Sequence, residues 1–213
     1  MIRELQLWDE PPPGMSLGVI LGSFDPLHLG HQWMVDELRA RYGGVLLLVP
    51  SAHFEKQVRP PRNAALDQRL EMIRRVYRGR VGCGIAGEVL FVRLLHLLER
   101  RFPGRRVGFG MGLDTLGKVR RSARYFARVG LPWGPAEERG LARLLERVVV
   151  FERGACPRGS EISSTLVRDL VASGSWDRLS TLVDPAVIDF VRGRGLYLSP
   201  GPGPGAAAGR CTG

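Results

Sequence analysis

Short apolar runs alternate with stretches of helical spacing along most of this chain. Residues 17–21 (LGVIL) and 45–49 (VLLLV) are too short for buried helices, and each run ends at a glycine or a proline. Further short runs occupy residues 106–110 and 148–151, and a glycine-rich turn is expected at residues 110–112. Strands that alternate with helices form a mostly parallel sheet with helices on both faces. The pattern therefore predicts an α/β fold whose loops after the strands share one edge, where ligands bind.

The chain divides into three predicted parts. Three consecutive prolines near its start exclude a helix there, so residues 1–16 are expected to be an irregular lead-in. Residues 17–197 carry the alternating pattern without an internal repeat or linker, and we expect them to form one domain. Residues 198–213 are rich in glycine, proline and alanine, and they are predicted to be disordered.

Composition bears on partners and compartment. The 213 residues carry 31 Lys and Arg against 21 Asp and Glu, a formal net charge of +10, and only Lys56 and Lys118 are lysines. Dense arginine attracts phosphate, but no basic stripe interleaved with aromatic residues supports a nucleic-acid partner. The apolar runs are shorter than a membrane helix needs, and the first residues lack the apolar core of a secretory signal. With only three scattered cysteines, the chain is expected to be cytoplasmic, without a nucleic-acid or membrane partner.

The loop after the first apolar run carries most of the candidate chemistry. Residues 22–31 read GSFDPLHLGH and connect a predicted strand to a predicted helix. Gly22 allows a ligand to approach the backbone, and the helix N-terminus offers unpaired N–H donors to a phosphate. His28 and His31 are three positions apart and can face one pocket, while Gly30 adds no side-chain bulk. Half of a metal site and two ordinary loop histidines are the alternative interpretations.

A second segment, residues 161–168 (EISSTLVR), predicts another anion site. Ser163 is placed to cap a helix whose first N–H groups are then free for a phosphate. Arg168 lies one turn further on, where its forked guanidinium can reach the same group. Taken alone, the segment is better explained by simple helix capping.

Together, the two segments resemble the two signatures of the HxGH nucleotidyltransferases, G-x-F-D/N-P-x-H-x-G-H and I-S-S-T/S-x-x-R/K. This resemblance implies a Rossmann-like fold, ATP as a substrate with Mg²⁺ on its triphosphate, and release of pyrophosphate. It implies that His28, His31 and Arg168 are the catalytic residues. It also implies a set of nucleotide-binding residues: Gly22, Ser23, Phe24, Gly30, Gly112, Asp114, Ile162, Ser163, Ser164 and Thr165.

Further matches resemble one branch of that family, the nicotinate mononucleotide adenylyltransferases. They include residues 112–116 (GLDTL), residues 148–154 (VVVFERG) and the ending GLY at 195–197. The resemblance spans about residues 17–197. It implies transfer of AMP from ATP to nicotinate or nicotinamide mononucleotide, a step of NAD biosynthesis.

The acceptor half departs from that branch. Ser122 stands where the family usually has a tryptophan, although Tyr125 and Trp133 are near enough in sequence to substitute for it. Lys56, in a loosely matching segment, is the candidate for binding the acceptor phosphate, and an ordinary solvated lysine is the equal alternative. No protein ligand for a metal is predicted, because Asp25 is as suited to bracing the loop as to touching a metal.

Two other functions stay open on the sequence. One is a diverged nucleotidyltransferase that uses ATP or CTP with another phosphorylated acceptor. The other is a non-catalytic nucleic-acid-binding domain, against which the intact signature residues argue. The expected partners are therefore small molecules, and the sequence leaves a homo-oligomer open.

Overall fold

The computed structural model describes residues 5–51, 63–152, 154–157 and 162–198. Within these ranges six strands form one sheet: β1 (Leu5–Asp9), β2 (Ser16–Leu21), β3 (Gly44–Pro50), β4 (Gly82–Ala86), β5 (Arg106–Gly112) and β6 (Val148–Phe151). The helices of the described residues are α1 (Leu29–Tyr42), α2 (Leu66–Tyr77), α3 (Phe91–Arg101), α4 (Leu113–Val119), α5 (Ser122–Arg128), α6 (Pro135–Leu145), α7 (Ser164–Ala172), α8 (Trp176–Leu179) and α9 (Pro185–Gly193).

The strands lie in the order β1-β4-β3-β2-β5-β6. Every neighbouring pair is parallel except β1 and β4, which are antiparallel. Alternating strands and helices therefore produce the mostly parallel α/β sheet that the sequence predicts, and that prediction is confirmed.

Each face of the sheet has its own hydrophobic core. Leu47 of β3 points to one face, where α1, α2, α7 and α9 pack, and its neighbour Leu46 points to the other, where α3, α4 and α6 pack. Both side chains are fully buried. A strand covered on both faces needs apolar residues at consecutive positions, which explains the continuous apolar run of β3.

Strand β5 is longer than the sequence predicts. Residues 110–112 are expected to form a glycine-rich turn, whereas they complete the strand, so that expectation is wrong. The glycines of β5 instead admit α1: a Cβ on Gly108 would lie 2.1 Å from the hydroxyl of Tyr42. A Cβ on Gly110 would lie 2.7 Å from Leu38. Glycine here serves close packing of a helix on the strand.

The start of the described chain is not irregular throughout. Leu5–Asp9 forms β1, which pairs with the outer edge of β4, so the expectation of an irregular lead-in is wrong for these residues. Leu5 and Leu7 alternate with the exposed Gln6 and Trp8 and pack against the core. That two-residue period is the strand signal in the sequence. The strand covers the edge that β4 would otherwise leave unpaired.

Candidate active site

The loop that carries both histidines begins at the end of β2, where the order in which the chain adds strands to the sheet reverses. From β2 the chain continues to β3 on one side, while β5 pairs with β2 on the other side. The connecting helices α1 and α3 consequently pack on opposite faces, an arrangement that in such sheets places ligand sites at the carboxyl end of the strand between them, here β2. We call residues 22–31 the histidine loop. Its first N–H, from Gly22, donates to Leu48 O of β3 at 3.0 Å.

Phe24 shapes the first half of the histidine loop. Its ring is fully buried, and its backbone φ is 46°. A Cβ on Gly22 would lie 3.1 Å from the ring, so glycine leaves room for it. The same ring meets His31 edge-on, with the centroids 5.0 Å apart. Gly22 and Phe24 therefore support the second histidine, and their contacts with a nucleotide stay predictions.

His28 and His31 hold each other across the first turn of α1. The N–H of His31 donates to Nδ1 of His28, and the N–H of His28 donates to Nδ1 of His31, both at 3.4 Å. The two rings stack with centroids 3.7 Å apart and planes 22° apart. The predicted pairing of the two side chains at one helix start is therefore present in the structure.

This mutual capping fixes which ring nitrogens carry hydrogen. Because both Nδ1 atoms accept a backbone N–H, each neutral ring carries its hydrogen on Nε2. Each histidine then offers one Nε2–H donor that the cap does not use. Two parallel donors at a helix N-terminus suit an anionic oxygen.

Gly30 keeps the ring of His28 in place. A Cβ at this position would lie 3.1 Å from Nδ1 of His28 and 3.8 Å from Cβ of Ile162. Any side chain would therefore push against the capping nitrogen and against the segment before α7. The predicted role of Gly30, to leave the turn free of bulk, agrees with this geometry.

Burial keeps both imidazoles neutral. It lowers the pKa of His28 from 6.5 to about 4. Burial, followed by the charge of the neighbouring His28, lowers the pKa of His31 well below its ordinary value. At neutral pH the pair therefore offers N–H dipoles, and the nearby positive charge must come from another residue.

Stability will fall as the pH is lowered from about 6.5 toward 4, because the unfolded chain then takes up a proton on residue 28 that the folded chain excludes. A pKa lowered from 6.5 to about 4 corresponds to about 3 kcal/mol of lost stability at the lower limit. Urea unfolding across this range measures the loss. His28→Asn keeps an N-cap acceptor and should reduce the pH dependence to the part that His31 contributes. An unchanged slope in that variant would contradict the prediction.

The start of α7 brings the second signature to the histidine loop. Ser163 caps the helix, since its Oγ accepts the N–H of Leu166 at 3.2 Å. The hydroxyl of Ser164 donates to Pro26 O at 3.1 Å. Its side chain thus links two segments that are 138 residues apart in the chain.

Arg168 brings a positive charge to the contact between α7 and the histidine loop. Its Nη1 donates to the backbone oxygen of Asp25, and its Nη2 donates to Oγ1 of Thr165 at 3.2 Å. Its Nε is buried and has no hydrogen-bond partner among the described residues. The guanidinium is therefore oriented by the protein while N–H groups remain for a ligand. Arg168 therefore lies against the histidine loop, and its binding of a phosphate stays a prediction.

Asp25 is the residue whose role the sequence left undecided. Its Oδ1 accepts the N–H of Ala64 at 2.9 Å and the hydroxyl of Tyr197 at 2.7 Å, and its Oδ2 accepts the side-chain amide of Asn63. The guanidinium of Arg69 lies 3.9 Å away, and both charged side chains are buried. All of these contacts tie the histidine loop to other parts of the chain. In this structure Asp25 braces the loop.

The remaining predicted site residues lie elsewhere in the histidine loop, further along the sheet edge, or outside the described residues. Gly112 ends β5 and precedes α4, and Asp114 is exposed in the first turn of that helix. Both lie at the carboxyl edge of the strand next to β2, as predicted, and their contact with a nucleotide stays a prediction. Ser23 belongs to the histidine loop, and Lys56 lies outside the described residues.

The residues at which the acceptor half departs from the family pattern pack within the protein. Ser122 is buried, and its hydroxyl donates to Val119 O at 2.5 Å. Trp133 packs edge-on against Phe126 with centroids 5.0 Å apart, and Tyr125 packs against the same small cluster. Ser122 thus closes a helix turn here and offers no ring for stacking.

Among the described residues, no group of three or more His, Cys, Asp or Glu side chains is arranged to hold a metal ion. Of the helices described, none is long and apolar enough to cross a membrane.

Comparison with known proteins gives matches along most of the chain. The family described as Cytidylyltransferase-like matches residues 19–170. A relative from Gloeobacter violaceus named "Probable nicotinate-nucleotide adenylyltransferase" is 29% identical, over 88% of this chain and 98% of its own. One of the same name from Gemmatimonas aurantiaca is 25% identical, over 86% of this chain and 92% of its own.

The fold also matches solved structures. Plasmodium falciparum nicotinic acid mononucleotide adenylyltransferase complexed with APC superposes with a TM-score of 0.61 at 14% identity, covering 86% of this chain and 98% of that one. The same enzyme complexed with NaAD gives 0.58 at 16% identity, with the same coverage. At this level of identity the likeness establishes the shared fold.

Proposed function

Because this chain belongs to the cytidylyltransferase-like family, whose match covers residues 19–170, we propose that it transfers AMP from ATP to nicotinate mononucleotide and releases pyrophosphate. One observation carries the proposal: Arg168 and Ser164 of the second signature bond to the backbone of the histidine loop. The names of the curated relatives support the acceptor. The same activity would serve NAD biosynthesis in the cytoplasm.

The reaction asks for positioning and charge neutralisation more than for acid–base chemistry. An oxygen of the acceptor phosphate is already a nucleophile, so it can attack the α-phosphorus of ATP directly. The new bond joins that oxygen to the α-phosphorus, the bond from the α-phosphorus to the bridging oxygen breaks, and pyrophosphate leaves with the electron pair. No side chain has to remove a proton from the acceptor.

The site residues have distinct roles in this proposal. His28 and His31 donate their Nε2–H groups to phosphate oxygens of ATP, on which negative charge grows in the transition state. Arg168 supplies the permanent positive charge, together with the N-terminus of α7. Asp114 would face the nucleoside sugar, and Lys56 would bind the acceptor phosphate.

Mg²⁺ enters this proposal as part of the substrate, Mg-ATP. The fit is chemical: the donors that converge on the histidine loop are N–H groups, which bind phosphate oxygens and repel a cation. A hard cation that keeps most of its waters can travel on the triphosphate with few protein ligands. The ion would neutralise phosphate charge while the protein residues orient the phosphates.

The direct test is pyrophosphate release from Mg-ATP with a panel of acceptors. We expect turnover with nicotinate mononucleotide and formation of the corresponding dinucleotide, detected by chromatography. Nicotinamide mononucleotide, and CTP paired with other phosphorylated acceptors, complete the panel. Release with one of these pairs and none with nicotinate mononucleotide would overturn the proposed acceptor. No release with any pair, together with salt-sensitive binding of RNA or DNA, would indicate a binding domain.

A further inference from the structure

Tyr197 reaches the histidine loop from the far end of the described chain. It follows α9, its backbone φ is 62°, and only 5% of the residue is exposed. Its hydroxyl donates to Oδ1 of Asp25 at 2.7 Å, across 172 positions of sequence. The ring belongs to the core formed with α1, α2, α7 and α9, so ring packing and the hydroxyl bond are separable contributions.

Asp25 links Tyr197 to both signatures. Its backbone oxygen accepts a bond from Arg168, and the oxygen of the next residue, Pro26, accepts one from Ser164. His28 follows two positions later. A shift of the Asp25 carboxylate would therefore move the peptide that carries the arginine contact and begins the turn with the histidines.

The histidine loop is also held by hydrogen bonds that do not involve Tyr197. The effect of Tyr197 on the position of the loop can therefore be tested separately from an effect on folding. The N–H of Leu29 donates to Leu182 O at 2.9 Å, and the amide of Gln32 donates to Asp184 at 3.5 Å. These bonds hold the start of α1 against the segment before α9 without Tyr197. Losing the tyrosine hydroxyl should therefore leave the helix docked while the carboxylate of Asp25 loses one of its donors.

We propose that Tyr197 is a positioning residue for the reaction, whose hydroxyl fixes Asp25 and thereby the relative placement of His28, His31 and Arg168. The catalytic part of this inference rests on the proposed function, whereas the placement of the histidines does not. The residue touches no substrate and acts through the carboxylate. Misplacement of a phosphate-binding group by a fraction of an ångström is enough to slow a reaction that depends on alignment.

The test compares Tyr197→Phe with Tyr77→Phe. Tyr77, in α2, lies in the same hydrophobic core, and its buried hydroxyl has no hydrogen-bond partner among the described residues. Both variants remove one buried hydroxyl and keep the ring. Each is assayed for kcat and KM with Mg-ATP and nicotinate mononucleotide, well below its melting temperature. Ring ¹H–¹⁵N spectra, assigned with His28→Asn and His31→Asn, report the histidines directly.

We expect Tyr197→Phe to lower kcat about tenfold with less than about a threefold change in KM for ATP. The ring signals of His28 and His31 should shift, those of His96 should not, and Tyr77→Phe should match the wild type in both measurements. An unchanged kcat, unchanged histidine signals, or failure of Tyr197→Phe to fold would each overturn the proposal. If the wild type releases no pyrophosphate, the proposed function fails, and the histidine signals alone decide the placement.

Discussion

Replacing His31 with alanine will lower kcat for dinucleotide synthesis by about 10²- to 10³-fold, the usual effect of losing one donor aimed at transition-state charge. The ring does three things that alanine cannot: it offers an Nε2–H donor, it accepts the N–H of His28, and it stacks on the ring of His28. KM for ATP should change much less, because Arg168 and the N-terminus of α7 remain.

The matched control is His96→Ala. His96 lies in α3, on the other side of the sheet from α1. It should retain wild-type kcat in the same pyrophosphate assay. A His31→Ala enzyme within about threefold of the wild-type kcat would remove His31 from the mechanism.

Replacing Asp25 with alanine will lower the free energy of unfolding by about 3–5 kcal/mol, as expected when one partner of a buried charged pair is removed. The guanidinium of Arg69 would lose its buried counter-charge, and Tyr197 would lose its acceptor. This loss is a large part of the stability of a domain of this size. Urea unfolding at neutral pH measures it.

An exposed aspartate provides the comparison. Asp189 lies in α9 with its side chain exposed, and Asp189→Ala should change the unfolding free energy by less than about 0.5 kcal/mol. Equal effects of the two substitutions would show that the buried contacts of Asp25 contribute nothing special. Activity of Asp25→Ala, measured on the folded fraction, should fall as well, because the peptide that bonds Arg168 is no longer fixed.

Local features of the site could be predicted from the sequence. Ten contiguous residues place the two histidines at one helix start, and the structure shows them capping that helix together. The sequence predicts strand β6 at its observed bounds, since its apolar run is short and has clear limits. In both cases the determining interactions lie within a few residues of one another.

Contacts between distant segments could not be predicted in this way. The bond from Tyr197 to Asp25 spans 172 positions, and nothing near either residue indicates the other. The glycines of β5 indicate a turn when only their neighbours in sequence are considered. The helix whose close packing requires them, α1, lies about 70 residues earlier in the chain. Burial of Arg69 beside Asp25 depends likewise on how α2 meets the histidine loop.

The hydrogen bond from Tyr197 also determines how late in synthesis of the chain the histidine loop can be fully held in place. Chains are made from the N-terminus, and domains fold as their segments emerge. The histidine loop is made among the first residues, but its hydrogen bond from Tyr197 can form only when residue 197 has left the ribosome. A nascent chain that ends before residue 197 lacks the Tyr197 contact, and one that ends before residue 182 lacks the Leu182 contact as well. Competence to align ATP would therefore appear late in synthesis, when the rest of the sheet is already available to fold.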